Sequence, residues 1–241
     1  MLLPPEKDPM GAAIAAFHAH GKAAKLRVFS SMFDEDEIPI KELFHDARHM
    51  SALEKEALRM ASGRILDVGA GSGRHSLALQ EQGKDVSAID ISHLSVQTML
   101  QRGVKQAQQA DFFDPTFLGE FDTVLMLMNG SGIIGKVDRL PLFFEKLKQL
   151  LAPSGCVLMD SSDLSYLYED EEGGICINLN DNYYGEVDFQ MQYQGIKGDT
   201  FDWLYIDFPT LELYASQHGF KAEKLLEGTH YDYLARISRD K

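Results

Sequence analysis

The chain has 241 residues, of which 44% are hydrophobic, so it can bury one sizeable core with some decorations. Asp and Glu number 37 against 23 Lys and Arg, which gives a formal net charge of -14. This charge repels phosphate backbones on average, so nucleic acid is not an expected partner.

The hydrophobic pattern and the cysteine content indicate the cellular compartment. No apolar run reaches the roughly 18 residues of a membrane helix, and the amino-terminal MLLPPEKDP lacks the pattern of a signal peptide. Cys156 and Cys176 form neither a CxxC pair nor a disulfide framework, which is typical of a reducing environment. We therefore expect a cytoplasmic protein with no membrane partner.

The amino-terminal part, residues 10–61, shows a mainly helical pattern, and we predict a helical cap over residues 1–62. Ser51 and Glu54 have the spacing of a capping box, and apolar residues repeat on one face behind them. The sequence therefore predicts a helix over residues 51–61.

The next part alternates short apolar runs with amphipathic segments. The predicted strands are residues 64–68, 85–90, 104–110, 121–128 and 156–160, of which 104–110 is polar and suits a sheet edge. The predicted helices are residues 74–82, a segment beginning near Ser92, and residues 140–151. Apolar strands that alternate with helices indicate a parallel sheet covered on both faces, so the predicted fold is α/β and doubly wound.

The pattern changes at residues 161–208. This segment contains CINLN (176–180), EVDFQMQYQG (186–195) and FDWLYID (201–207), with no helix between them. We predict an inserted antiparallel β segment. A helix at 209–218 and two strands, 220–228 and 231–238, then complete the chain.

A glycine-rich turn, DVGAGSG at residues 67–73, follows the first strand of the predicted α/β sheet. The dinucleotide fingerprint fails because Arg74 occupies its last Gly or Ala position. The spacing is an acid, one residue and then GxGxG, carried by Asp67, Gly69, Gly71 and Gly73. In these residues the chain resembles the class I S-adenosylmethionine-dependent methyltransferases.

This resemblance implies a seven-stranded, mostly parallel sheet over residues 63–241 and S-adenosylmethionine as cofactor, with S-adenosylhomocysteine as product. In the family, an acid after the second strand holds the ribose and an acid after the third strand contacts adenine, with an apolar neighbour on the ring. Asp90 matches the first acid, and Asp111 with Phe112 matches the second. The full set of implied cofactor residues is Asp67, Gly69, Ala70, Gly71, Gly73, Asp90, Ile91, Asp111, Phe112, Met128 and Asn129.

A second glycine loop, MNGSGIIGKV at residues 128–137, has the GxxxxGK spacing of a phosphate-binding loop. That loop requires Ser or Thr after its Lys136, where this chain has Val137. A P-loop nucleotide-binding protein is therefore a remote alternative. The resemblance instead implies that this loop lies at the methionine end of the cofactor, beside the acceptor.

Candidate acceptor-binding residues are Asn129, Gly130, Tyr183, Tyr184 and Trp203. The aromatic residues could stack on a planar or cationic acceptor, or could simply form the core of the inserted sheet. Arg48 and His49 could meet the cofactor carboxylate or lie at the surface. No catalytic residue is compulsory, because in-line methyl transfer depends mainly on alignment, and no metal site is expected.

The expected function is methyl transfer from S-adenosylmethionine to a small-molecule acceptor, at an oxygen, nitrogen or carbon atom. The alternatives are a protein or RNA methyltransferase and a non-catalytic module that binds S-adenosylmethionine. The residues alone do not select the acceptor or the oligomeric state.

Overall fold

Two β-sheets organise the chain in the computed structural model, which describes residues 2–170, 172, 174–177 and 182–240. The strands, numbered along the chain, are β1 (Leu26–Phe29), β2 (Asp36–Ile38), β3 (Arg64–Val68), β4 (Asp85–Asp90), β5 (Ala107–Gln109), β6 (Phe121–Met126), β7 (Leu151–Ser162), β8 (Glu186–Tyr193), β9 (Ile196–Lys197), β10 (Phe201–Leu204), β11 (Phe220–Glu227) and β12 (Asp232–Arg239). The helices are α1 (Pro9–His20), α2 (Ala52–Met60), α3 (Arg74–Glu81), α4 (His93–Arg102), α5 (Leu140–Leu150) and α6 (Phe208–Gln217).

The larger sheet has seven strands in the order β11-β12-β7-β6-β3-β4-β5. Strands β3 to β7 pair in parallel, whereas β12 is antiparallel to both β7 and β11. Strand order reverses beside β3, so the carboxyl ends of β3, β4 and β6 surround one crevice, where ligands of such sheets bind. The predicted seven-stranded α/β fold is confirmed, with the polar strand β5 at the edge.

Both faces of this sheet are covered, as continuous apolar strands require. Leu66 and Val68 of β3 pack on the side of α5 and α6, in a core that contains Phe143 of α5. Ile65 points to the opposite side and packs with Leu53 of α2. Alternate side chains of one strand thus serve two cores, as the two-residue period of a strand requires.

Helix α2 begins as its sequence predicts. The side chain of Ser51 accepts a hydrogen bond from Glu54 N, and the Glu54 carboxylate accepts one from Ser51 N, which completes the capping box. This cap fixes the orientation of Glu54, which lies in the candidate site described below.

The second sheet is antiparallel, with the order β10-β8-β1-β2 and β9 paired to β8. Two of its strands, β1 and β2, come from the amino-terminal segment, so the mainly helical prediction is wrong over residues 26–29 and 36–38. The four-residue strand LRVF alternates buried Leu26 and Val28 with Arg27, but it is too short to dominate a helical window. Its pairing with β8, far along the chain, determines its structure.

The predicted insertion contributes β8, β9 and β10 to this sheet, as expected for an antiparallel segment. The predicted strand over residues 176–180 lies mostly outside the described residues, and residues 176 and 177 are not in a strand. The domain boundary at residue 62 stays a prediction. Among the described residues, no helix is long and apolar enough to cross a membrane.

Candidate active site

The first glycine loop connects the end of β3 to the start of α3. Gly69, Gly71 and Gly73 have φ angles of +67°, +56° and +80°, a region that L side chains rarely adopt. A Cβ atom on Gly73 would lie 2.9 Å from both Met99 Cγ and Val104 Cγ2. Gly73, the N-cap of α3, has no side chain to cap the first turn, so the amides at the start of this helix lie next to exposed loop backbone.

Gly73→Ala is expected to destabilise the fold, because alanine meets both an unfavourable φ and two packed side chains. Gly83→Ala is the matched control, since Gly83 has φ +75° and nothing within 4 Å of an added Cβ. We expect about 1–2 kcal/mol for Gly83→Ala from φ alone and a clearly larger loss for Gly73→Ala, measured by urea unfolding. Equal losses would show that the packing against Met99 and Val104 imposes no constraint.

Asp67 lies beneath the loop. It is 2% exposed, and its Oδ2 accepts a hydrogen bond from Ser76 Oγ at 2.6 Å. Burial raises the pKa of Asp67, and the nearby His75 and the Ser76 hydrogen bonds oppose this effect. Asp67 therefore ties the loop to helix α3 from below.

Asp90, at the end of β4, meets the same loop. Gly71 N donates to its Oδ2 at 2.8 Å, and Ser92 N donates to its Oδ1 at 2.8 Å. Loss of hydration raises the pKa of Asp90 to about 6, and the neighbouring carboxylates of Asp8 and Asp67 contribute in the same direction. The structure thus brings Asp90 and the glycine loop together, as the sequence predicts.

The second predicted acid follows β5. Asp111 Oδ1 accepts a hydrogen bond from Phe113 N at 2.8 Å and so shapes the turn. Phe112 is only 2% exposed and packs 6.1 Å from the Phe143 ring, between centroids. The described structure therefore places Phe112 in the core, whereas Ile91, next to Asp90, is 37% exposed.

The second glycine loop has strained backbone at its start. Met128 and Asn129 both have positive φ, +67° and +56°, which costs of order 1–3 kcal/mol each in a non-glycine residue. Asp160 of β7 holds this turn, because its carboxylate accepts hydrogen bonds from Met128 N at 3.2 Å and Gly130 N at 3.0 Å. Burial raises the pKa of Asp160 to about 6. The sequence analysis missed this role of Asp160, because its partners lie about 30 residues earlier in the chain and no local motif indicates the contact.

Asn129 in this loop and Trp203 of β10 both make contacts that fix the loop. Ser162 Oγ donates to Asn129 Oδ1 at 2.8 Å. A Cβ atom on Gly132 would overlap the indole ring of Trp203, so this ring lies directly on the loop backbone. Loop and inserted sheet are therefore in close contact.

The phosphate-loop interpretation fails in the structure. Residues Gly130–Ile134 form a short 3-10 helix, and α5 begins only at Leu140. Lys136 is partly exposed, and its Nζ lies 3.4 Å from Asp202 Oδ1. No α-helix amino terminus follows Lys136 at the position that a phosphate site requires.

Tyr183 and Tyr184 form a hydrogen-bonded group near the end of β7. Tyr183 OH donates to Asp207 Oδ2 at 2.5 Å, and Tyr184 OH lies 2.9 Å from Asp163 Oδ1. Burial raises the pKa of both phenols well above the usual value. Both rings line a cavity of about 570 Å³, together with Ser31, Met32, Lys136, Tyr168, Asn182, Glu186, Val187, Asp188 and Asp202. Trp203 does not line this cavity.

A buried ionic cluster lies under the amino terminus of α3. Glu54 Oε1 accepts hydrogen bonds from Arg74 Nη2 and, at 2.7 Å, pairs with His75 Nε2. Arg74 and Glu54 are 7% and 6% exposed. Burial alone would raise the pKa of Glu54, but the His75 hydrogen bond and the two positive neighbours lower it to about 2.

This cluster also holds the amino-terminal segment, because Arg74 Nη1 donates to Glu42 O at 2.7 Å. Arg48 and His49 instead lie at the surface, where both contact Asp46. Within the described ranges, no group of three or more His, Cys, Asp or Glu could hold a metal ion.

Comparison with known proteins identifies the family of this chain. Residues 65–155 match the family model described as a methyltransferase domain. The solved structure of an S-adenosylmethionine-dependent methyltransferase from Bacteroides fragilis, in complex with S-adenosylhomocysteine, is 64% identical. The match covers 100% of this chain and 98% of that chain, with a TM-score of 0.95. This chain belongs to the S-adenosylmethionine-dependent methyltransferases.

More distant matches agree with the family. Cypemycin N-terminal methyltransferase from a Streptomyces species is 34% identical over 110 residues, which is 44% of this chain and 44% of that protein. The match therefore spans less than half of that relative's length. The CcbJ methyltransferase of Streptomyces caelestis is 13% identical, covers 99% of this chain and 100% of its own, and has a TM-score of 0.58, which shows the fold alone.

The described residues fit the cofactor of this methyltransferase, S-adenosylmethionine. Three glycines expose backbone beside Asp90, whose carboxylate has acceptor capacity beyond its two amide donors. Ile91 offers an apolar surface next to them. When bound, the cofactor supplies an activated methyl group on a sulfonium.

Proposed function

We propose that the methyltransferase transfers the methyl group to a small molecule that carries an amine and binds in the cavity beside Tyr183 and Tyr184, in the cytoplasm. One observation carries this proposal. Asn129, in the loop at the end of β6, is bonded to Ser162, and the next residue, Asp163, is bonded to Tyr184 on the cavity wall. This series of contacts joins the cavity wall to the loop that follows β6, which supports an acceptor site beside the proposed cofactor crevice.

The proposal gives the predicted residues the following roles. Asp90 accepts the ribose hydroxyls, Asp111 and Ile91 contact the adenine, and the amides after Gly69, Ala70, Gly71 and Gly73 face the cofactor. Asp67 and Phe112 support these elements from below, since both are 2% exposed. Met128, Asn129 and Gly130 separate cofactor from acceptor, and Trp203 fixes this loop from the side of the inserted sheet.

The charges around the cavity favour a cation. Its lining includes three carboxylates and one lysine, which are Glu186, Asp188, Asp202 and Lys136. Asp188 and Asp202 are directly opposite each other on β8 and β10, an arrangement that like charges make unfavourable. Lys136 offsets part of this repulsion at Asp202, and an ammonium group beside Asp188 would offset the rest, with cation–π contacts from the tyrosine rings.

The chain's own contribution is alignment and exclusion of water. The loop at Asn129 is held rigidly by Asp160 and Ser162, so acceptor and methyl group can be kept in line. An ammonium acceptor has to lose its proton before the nitrogen attacks, which requires a base or solvent.

A screen for S-adenosylhomocysteine formation tests the proposal, with small amines, small alcohols and carboxylates, peptides and RNA as acceptors. We expect product with amines, and Asp188→Asn to raise KM for the amine about tenfold, the effect of one charge-assisted contact. The control Asp46→Asn, at an exposed site, should leave KM unchanged.

Three outcomes would overturn parts of this account. Product with peptides or RNA but not with amines would favour a macromolecular acceptor. Bound cofactor with no turnover on any class would favour a non-catalytic binding module. Turnover of amines with unchanged KM in Asp188→Asn would place the acceptor outside this cavity.

The cofactor affinity is expected to depend on pH through Asp90. The ionised carboxylate accepts both ribose hydroxyl protons, whereas the neutral acid loses acceptor capacity. Since the pKa of Asp90 is raised to about 6, affinity should rise with pH through this value and then level off. Below it, affinity should fall by up to about tenfold per pH unit.

Calorimetry with S-adenosylhomocysteine between pH 5 and 7.5 measures this dependence. Asp90→Asn, which cannot ionise, should bind weakly at every pH and show a flat profile. The same slope in the wild type and in Asp90→Asn would assign the titration to another group.

A further inference from the structure

The amino-terminal residues 2–7, here named the N-terminal strap, cross the carboxyl end of β4. Leu3 N donates to Ile91 O at 3.1 Å, and Leu3 forms an isolated parallel bridge with Ser92. The strap therefore lies on the residues that immediately follow Asp90. A further contact joins the strap to the inserted segment, where Lys7 Nζ lies 2.5 Å from Asp199 Oδ1 at an exposed site.

Asp8 connects the strap to helix α1 and is buried, with 1% exposure. Its Oδ2 accepts a hydrogen bond from Ser92 Oγ at 2.5 Å, and its Oδ1 accepts one from Gly11 N at 2.8 Å. Burial raises the pKa of Asp8, while these two hydrogen bonds oppose the shift. A buried carboxylate is costly to maintain, so its position calls for a specific role.

The fit around Asp8 is close. A Cβ atom on Gly11 would overlap both Asp8 Oδ2 and Ser92 Oγ, so only glycine permits this approach of α1 to α4. Ile14, fully buried one turn further along α1, lies 3.9 Å from the Cβ position of Gly71 in the cofactor loop. Helix α1 thus packs against both Ser92 and the glycine loop.

The strap itself is attached at few points. Leu2, Pro4, Pro5 and Glu6 are exposed, whereas Ala13 and Ile14 of α1 are fully buried. Segments with exposed backbone and few buried contacts open locally at low free-energy cost, while a packed helix does not. Opening of the strap alone therefore requires loss of the Leu3 and Asp8 contacts and of the exposed Lys7–Asp199 ion pair, with α1 remaining in place.

We propose that Asp8 is a positioning residue for the cofactor: through Ser92 it holds the N-terminal strap against the Asp90–Ser92 turn and so slows cofactor release. Ser92 links the two carboxylates, because its side chain donates to Asp8 and its amide donates to Asp90. Loss of the Asp8 contact frees Ser92 Oγ and releases the strap. The bound cofactor then leaves faster, while the approach of free cofactor changes little. This inference is independent of the acceptor.

The experiment separates this role from helix capping, since Asp8 is also the N-cap of α1. Serine is an equally good N-cap but is too short to reach Ser92, so Asp8→Ser keeps the cap and removes the contact. Asp8→Asn keeps the length and an oxygen acceptor. Leu3→Pro removes the other attachment by deleting the N–H that bonds Ile91 O.

Surface plasmon resonance on immobilised full-length protein, with S-adenosylhomocysteine as the probe, gives the association and dissociation rates. We expect Asp8→Ser and Leu3→Pro to raise the dissociation rate about tenfold, with association changed less than about threefold. Asp8→Asn should restore most of the wild-type rate. Asp46→Ser, a matched substitution at an exposed N-cap, should have no effect.

Unfolding curves of the same variants complete the test. A variant that loses stability but keeps the wild-type dissociation rate would show that Asp8 only supports the fold. Unchanged dissociation in both Asp8→Ser and Leu3→Pro, with both folded, would overturn the proposal. Absence of S-adenosylhomocysteine binding in the wild type would instead contradict the cofactor assignment itself.

Discussion

Glu54→Ala is expected to lower the free energy of unfolding by about 3–5 kcal/mol, the typical cost of breaking a buried ion pair. Removal of this carboxylate leaves Arg74 buried at 7% exposure without its anionic partner, and His75 loses its contact as well. The capping box with Ser51 is lost in the same change. Because the proposed cofactor site includes the loop that leads into α3, we expect cofactor affinity to fall together with stability.

Glu56→Ala is the matched control for this prediction. Glu56 lies on the same helix and pairs with the exposed Arg59, an interaction worth less than about 1 kcal/mol. Urea unfolding of both variants gives the comparison, and a loss in Glu54→Ala no larger than that in Glu56→Ala would contradict it. Since the pKa of Glu54 is lowered to about 2, its stabilisation is present above pH 4.5 and is lost as the pH falls towards 2.

Asp90→Ala is expected to weaken cofactor binding by about 2–4 kcal/mol, the order of two hydrogen bonds to a charged acceptor. Asp90 also accepts amides of Gly71 and Ser92, so its loss loosens the turn on which the glycine loop and the N-terminal strap rest. Calorimetric titration with S-adenosylhomocysteine measures the effect.

Asp85→Ala provides the comparison, since Asp85 is the exposed first residue of the same strand. We expect its affinity to match the wild type. If Asp90→Ala also binds like the wild type, the ribose is held by other residues, and the role given to Asp90 is wrong.

The elements that the sequence predicts best are those defined by neighbouring residues. The capping box of Ser51 and Glu54, the apolar strand RILDV and the periodic face of α5 each rest on a window of a few residues. The first glycine loop, residues 67–73, belongs to this group as well, because the spacing of its glycines indicates where positive φ angles occur. These local signals were enough to indicate the α/β fold and the family.

Features that depend on distant partners were not predictable in the same way. Strand β1 becomes a strand because it pairs with β8, more than 150 residues later. Asp8 is buried because Ser92 bonds it, and Asp160 has its role because the Met128–Gly130 turn folds onto it. Phe112 is apolar, as expected for the residue that packs on the adenine ring, but tertiary packing places it in the core rather than in the crevice.

The assignment of the two glycine loops is the central claim, and ligand binding by the wild-type protein tests it most directly. Calorimetry is expected to show binding of S-adenosylhomocysteine and no binding of ATP or NAD, with Lys136→Ala binding S-adenosylhomocysteine like the wild type. Tight binding of ATP that Lys136→Ala abolishes would contradict the account, because it would place the nucleotide on the loop at residues 128–137.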